Sequence, residues 1–177
     1  MSRIRSTGRP TLHRTGRRAV VVATCAAAAI GASATAATID AQSCYGAYYT
    51  HVDVMQVAPN HVIITAGAHG TGYVTRDAQS PLKGAYGPCV LFNEVIDGKP
   101  NGELRCVRSD AQGDKFLITG KVKSYTATGA MSGSYTVTGL TGKWVGASGG
   151  GNFVEDAGSG KDNKHYFVCF DGEVRMR

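Results

Sequence analysis

His51-Val52-Asp53 sets an imidazole and a carboxylate two positions apart. On a strand that spacing puts both side chains on one face, about 7 Å apart. With His61 and His69 following in the chain, the pair is a candidate general base held by Asp53, or part of a metal site. The same residues on a strand also suit histidines that face solvent or are simply hydrogen-bonded. Alternation leaves the face open: Val52 and Val54 turn His51 and Asp53 outward, whereas Met55 and Val57 turn them inward. His51 and Asp53 are the catalytic candidates this sequence offers, and neither a cofactor nor a metal is expected.

Other chemical motifs fall short. Asp110-Ala111-Gln112-Gly113-Asp114 has the acids of half a calcium loop, but it lacks the ligand spacing and distal Glu. A five-residue hairpin turn explains it better. Gly67-Ala68-His69-Gly70-Thr71-Gly72 is glycine-rich without being Gly-x-Gly-x-x-Gly, and no helical pattern follows. Neither Gly142-Lys143-Trp144 nor Gly160-Lys161-Asp162 places Ser or Thr after the lysine, as a phosphate loop requires. Tyr45, Tyr48 and Tyr49 could form a stacking surface for a sugar or aromatic ligand, or simply build a barrel wall.

The elements that must position these residues begin after a leader. Residues 1–18 hold six arginines and no acid, residues 19–31 are apolar, and Ala32-Ser33-Ala34 and Ala34-Thr35-Ala36 offer small-residue cleavage sites. That order describes a secretory signal peptide over residues 1–36. The apolar run is shorter than the ~20 residues of a membrane-spanning helix, so no span is expected. Gly16-Arg17-Arg18 is a twin-arginine pair with ordinary flanks, which favours the plain export route. Cys25 lies too early in the apolar run for a lipid-acceptor cysteine and goes with the leader. The expected location is periplasmic or extracellular.

Removing the leader changes the charge. Of 19 Lys and Arg, 13 remain, against 13 Asp and Glu. A near-neutral domain lacks the positive surplus from which nucleic-acid binders draw affinity. Residues 37–177 suit one domain.

Cys44, Cys89, Cys106 and Cys169 remain in it. An even number in an exported chain argues for two disulfides, with three connectivities open. None forms a Cys-x-x-Cys pair, so a redox motif or zinc knuckle is not expected. We favour Cys89–Cys106, which flanks one hairpin turning at residues 97–102. Cys44–Cys169 would then join the start and end of the domain, which are neighbours if the sheet closes on itself.

Short β-type runs alternate with Gly, Asn and Asp turns throughout, with no sustained helical periodicity. Candidate strands are 48–57, 61–66, 89–96, 103–109, 115–123, 134–138, 143–145, 152–155 and 165–170. Turns are expected at Pro59-Asn60, Asn101-Gly102, 110–114 and Asp171-Gly172, with a polar loop over 156–163. In the run 115–123, Phe116, Ile118 and Val122 share one face and Lys115, Thr119, Lys121 and Lys123 the other, a half-buried strand. About eight strands in series favour an all-β fold, a small eight-stranded antiparallel barrel with two disulfides, because closure removes exposed edges.

The segment Gly139-Leu140-Thr141-Gly142-Lys143-Trp144-Val145-Gly146-Ala147-Ser148-Gly149 resembles the Gly-Thr-Gly-Lys-aromatic-x-Gly-Ala-x-Gly segment of the allene oxide cyclase and dirigent-like barrels. The run 106–114 is similar to the Cys-x-x-x-Asp-x-x-Gly-Asp hairpin of their bacterial secreted relatives. The likeness covers residues 86–156 and implies an eight-stranded barrel. Gly139, Gly142, Gly146 and Gly149 read as corner glycines and Trp144 as a plug of the core, a signature of fold rather than of chemistry. Leu140 departs from the pattern, where a second small residue is usual, and the cyclases' catalytic residues find no match here. The Gly-x-Trp of lipocalins is also similar to Gly142-Lys143-Trp144, but there it opens the first strand.

Three functions remain: a non-catalytic barrel binding a small apolar ligand or an envelope partner, an isomerase or cyclase acting in an apolar lumen, and a structural surface protein. The lumen discriminates among them. Filled by Phe116, Ile118, Val122, Tyr135 and Val137, it favours the third; an apolar cavity with one or two inward polar groups favours the first or second.

Overall fold

A computed structural model describes residues 36–125, 130–157 and 164–177. The signal-peptide reading therefore falls almost wholly outside the described residues. Nine strands follow in order: β1 (Ala37–Asp40), β2 (Ser43–Ala58), β3 (His61–Thr75), β4 (Gly87–Ile96), β5 (Lys99–Ser109), β6 (Lys115–Tyr125), β7 (Met131–Gly139), β8 (Ser148–Ala157) and β9 (His165–Met176). Each pairs antiparallel with the next from β2 to β9, and β9 also pairs with β2, closing an eight-stranded barrel. β1 lies against β9 beyond the end of β2, Asp40 opposite Glu173 and Ser43 opposite Phe170, so the two share one stave.

Alternation explains the wall. In β6, Phe116, Ile118 and Val122 are buried while Lys115, Lys121 and Lys123 are exposed, as the two-residue period requires. The β4–β5 hairpin turns on Asp97 and Gly98 alone, at φ 50° and 73°. Positive φ at both central residues is the geometry that matches strand twist in a two-residue loop.

Both disulfides are formed as expected. Cys89 and Cys106 face each other across β4 and β5 with sulfurs 2.05 Å apart. Cys44 and Cys169 do so across β2 and β9, at 2.12 Å. The first bridge is buried within the barrel. The second sits on the seam that closes it.

Three expected features are corrected. Asn101-Gly102 and Asp171-Gly172 are not turns but lie within β5 and β9, in register with β4 and β8 respectively. Residues 143–145 do not form a strand. Gly142–Trp144 is a single 3-10 turn, which drops Trp144 into the barrel end. Gly67 to Gly72 belong to β3. A glycine is needed in that strand where a large neighbour lies flat on the wall. A Cβ at Gly70 would meet both terminal nitrogens of Arg108 at 2.7 Å.

The barrel is plugged at the end opposite the β2–β3 and β4–β5 hairpins. Trp144 is fully buried there, its ring 4.3 Å from that of Phe116. Its indole Nε1 donates to Asp110 Oδ2 at 2.8 Å, and Lys143 Nζ meets the same oxygen at 2.9 Å. The 106–114 and 139–149 motifs thus meet in space. Gly142 permits this approach: at φ 52°, a Cβ would lie 1.9 Å from the Asp114 carboxylate. Gly139 is equally crowded, since a Cβ there would strike the Trp144 carbonyl at 1.4 Å.

Candidate functional site

The His51–Asp53 pair lies on the outer surface. β9 accompanies β2 only as far as Tyr48, opposite His165, so residues 50–57 of β2 run past this neighbour and are exposed. The Val52/Met55 conflict in the sequence has this origin: past the closed wall, both faces of β2 meet solvent, and register shifts after Tyr49 and Gln56 break the alternation. The His51 ring lies over Gly67, its Nδ1 3.4 Å from Thr50 Oγ1. His61 pairs with Glu94 at 2.7 Å, and His69 stacks on Tyr48 with centroids 6.0 Å apart. The three histidines do not converge. Among the described residues no group of three His, Cys, Asp or Glu is placed to hold a metal ion, and no helix is long and apolar enough to cross a membrane.

The tyrosines also separate. Tyr45 and Tyr49 point into the barrel, and Tyr48 points out. Gly146-Ala147-Ser148-Gly149-Gly150 spells Gly-x-Ser-x-Gly, yet Ser148 opens β8 and stands on no strand-to-helix turn, so it forms no nucleophile elbow.

The chemistry gathers inside, at a residue with no motif around it. Glu155, near the end of β8, is 4% exposed and shares the inner face with Phe153. Tyr49 of β2 donates its hydroxyl to Glu155 Oε1 at 2.5 Å, and the Tyr49 ring stacks on Tyr166 of β9 at 4.5 Å. Across the lumen, Asn93 of β4 donates to the Tyr125 hydroxyl at 2.5 Å. Asn93 is fully buried, and its Oδ1 has no partner among the described residues.

These groups lie at the hairpin end of the lumen. Glu155 lines a cavity with Ala66, Ala68, Leu91, Leu104 and Met131. The cavity has a volume of about 20 Å³, roughly one water. Phe116, Ile118, Val122, Tyr135 and Val137 are buried as expected, but none of them lines this space. With the other buried side chains they fill most of the lumen and leave only this small space at the hairpin end.

Burial dominates the electrostatics. Desolvation pushes the Glu155 carboxyl up to about 7, against the smaller opposing effect of the Tyr49 hydrogen bond. Desolvation likewise raises Tyr49, and the Glu155 charge raises it further. No cation pairs with Glu155 among the described residues. A carboxyl that changes protonation near neutrality, held in an apolar lumen, can donate a hydrogen bond to a ligand oxygen or move a proton.

No protein-family model, curated protein or solved structure matches this chain. The site therefore rests on its own geometry.

Sequence reasoning missed Glu155. One signal was present: Phe153 and Glu155 are two apart, and exposed Val154 separates them. Extending the alternation one step past Phe153 puts an acid on the inner face.

Proposed function

We propose that this is an exported binding barrel in which a small, mainly apolar ligand enters the hairpin end of the lumen by displacing Met131 and widening the one-water space beside Glu155 and Tyr49, which anchor it. The observation that carries this reading is a buried carboxyl, with no cation paired to it among the described residues, facing an apolar cavity. Burying such a group costs stability, and a lumen meant only to be filled has no use for it. Export is supported by the basic-apolar leader and by paired cysteines, which suit an oxidising compartment. Met131 at the cavity is the flexible side chain that adapts its width to the ligand.

The test is titration of the purified protein with the neutral fluorescent probe N-phenyl-1-naphthylamine. The expected result is saturable binding that Leu104→Trp abolishes by filling the cavity and Glu155→Leu weakens for oxygen-bearing competitors. Equal probe binding by Leu104→Trp would overturn the reading.

A second reading is an isomerase or cyclase in the manner of the allene oxide cyclase-like barrels that residues 86–156 resemble. The position of Glu155 favours it, as a proton donor and acceptor beside a bound apolar substrate. Turnover lost in Glu155→Gln with binding retained would select this reading over simple binding.

A further inference from the structure

Deeper in the barrel lies a second polar group that the ligand cavity does not use. Arg108 of β5 points inward and is fully buried. Its Nη1 donates to the Gly87 carbonyl, and its Nη2 donates to Cys89 Sγ at 3.1 Å. The guanidinium carbon lies 4.6 Å from the centroid of Tyr45 and 5.7 Å from that of Tyr73. The charge is permanent, because a guanidinium does not lose its proton in proteins.

What is missing is a counter-charge. The ion pairs of the described residues join His61 to Glu94, Arg76 to Asp40, Arg105 to Glu103 and Lys143 to Asp110, and none includes Arg108. Ring faces and a carbonyl offset part of the cost of burying a cation, but they carry no full negative charge. Two further observations point the same way. Among the described residues, Arg108 Nε and the hydroxyls of Tyr73 and Tyr135 are buried with no hydrogen-bond partner of good geometry, the Tyr73 hydroxyl lying beside the guanidinium. Both tyrosines pack on Phe170, with centroids at 6.1 and 4.8 Å, so their rings occupy the same layer of the lumen. The chain also makes room for the guanidinium by placing Gly70 beneath it.

We propose that Arg108 and the Tyr73 hydroxyl form an internal binding site for a compact monoanion, a halide or a carboxylate group. Two sources share that chemistry. A free anion can occupy the layer alone. Alternatively, the carboxylate end of an amphipathic molecule reaches it from the hairpin end, since Tyr45 and Cys89 both touch Arg108 and line the ligand cavity.

The experiment is thermal unfolding of the purified protein at fixed ionic strength in methanesulfonate, exchanged stepwise for chloride, acetate or decanoate. The expected result is a saturable rise in Tm that Tyr73→Phe weakens about tenfold in half-saturating concentration and Arg108→Met abolishes. Decanoate acting at least a hundredfold below acetate assigns the site to an amphipathic carboxylate, and equal concentrations assign it to a free anion. A bromide-soaked crystal of the unaltered protein should show an anomalous peak beside the guanidinium, which keeps the test independent of whether Arg108→Met folds. A wild-type Tm indifferent to every anion, together with no bromide peak, overturns the proposal. Glu155→Gln should leave the chloride response unchanged, so failure of the ligand-binding reading and failure of this one are separable.

Discussion

At the scale of single residues, Glu155 couples stability to pH. Its carboxyl titrates near 4.5 in the unfolded chain and at about 7 in the barrel. Between those values the native state holds the proton more tightly than the unfolded state does. Stability contributed by this group is therefore complete below pH 4.5 and declines as pH rises, levelling above 7. A gap of this size corresponds to roughly 3 kcal/mol. Glu155→Gln, which mimics the protonated form, should flatten that part of the stability curve and raise urea resistance at pH 8. Chemical denaturation of both proteins from pH 4.5 to 8.5 checks this, and parallel curves would show that Glu155 ionises freely. None of this was legible in motifs. A carboxyl's environment is set by what closes around it, here residues of β2, β3, β7 and β9, whose proximity only the closed barrel creates. His51 and Asp53 show the converse: residue types suited to catalysis, placed on a surface with nothing to desolvate them.

At the scale of elements, the plug at the closed end is the most tightly specified unit. Burial opposes the Asp110 charge, but hydrogen bonds from Lys143, Trp144 and the Gln112 amide outweigh it and hold the carboxyl below the usual carboxylate range. Its Oδ1 also accepts from the Asp114 amide at 3.0 Å. One carboxylate thus organises its own turn and fastens the 3-10 turn of Trp144 to it. Asp110→Ala removes the acceptor of the indole N–H and of two backbone amides, and should cost about 3 kcal/mol. Trp144→Phe, which keeps an aromatic ring but loses the donor, should cost less. Urea midpoints of the two variants test this ordering, and an Asp110→Ala midpoint equal to wild type would show that the turn holds without its carboxylate. The plug was partly legible. Glycines around an aromatic marked a corner with an inward ring, and the acidic five-residue run marked a turn. That Lys143 and Trp144 would leave the strand pattern was not, because a single 3-10 turn carries no periodicity of its own.

At the scale of the whole molecule, closure is the property on which the lumen depends, and it is secured where the first and last staves meet. Strand alternation and an even cysteine count made the barrel legible, since β9 returning to β2 is the arrangement that satisfies both edges and brings Cys44 to Cys169. Strand ends were less so: the overhang of β2 beyond β9 follows from unequal strand lengths, which local sequence does not encode. The two bridges should therefore differ in consequence. Cys44–Cys169 closes a separation of 125 residues and Cys89–Cys106 one of 17. Loop-closure entropy alone makes the longer bridge worth about 5 kcal/mol and the shorter about 3. Position sharpens the contrast. Cys89–Cys106 joins a hairpin already tied by a tight turn, so its loss is felt as altered packing beside Arg108 and the cavity. Cys44–Cys169 spans the seam, so Cys44→Ala with Cys169→Ala should speed amide hydrogen exchange in β1, β2 and β9 before the rest of the wall. Exchange should rise at 43–48 and 165–170 while β5 to β7 stay protected. Uniform acceleration around the barrel would instead mean that the seam opens only with global unfolding, and that backbone pairing of β2 with β9 closes the cylinder without its staple.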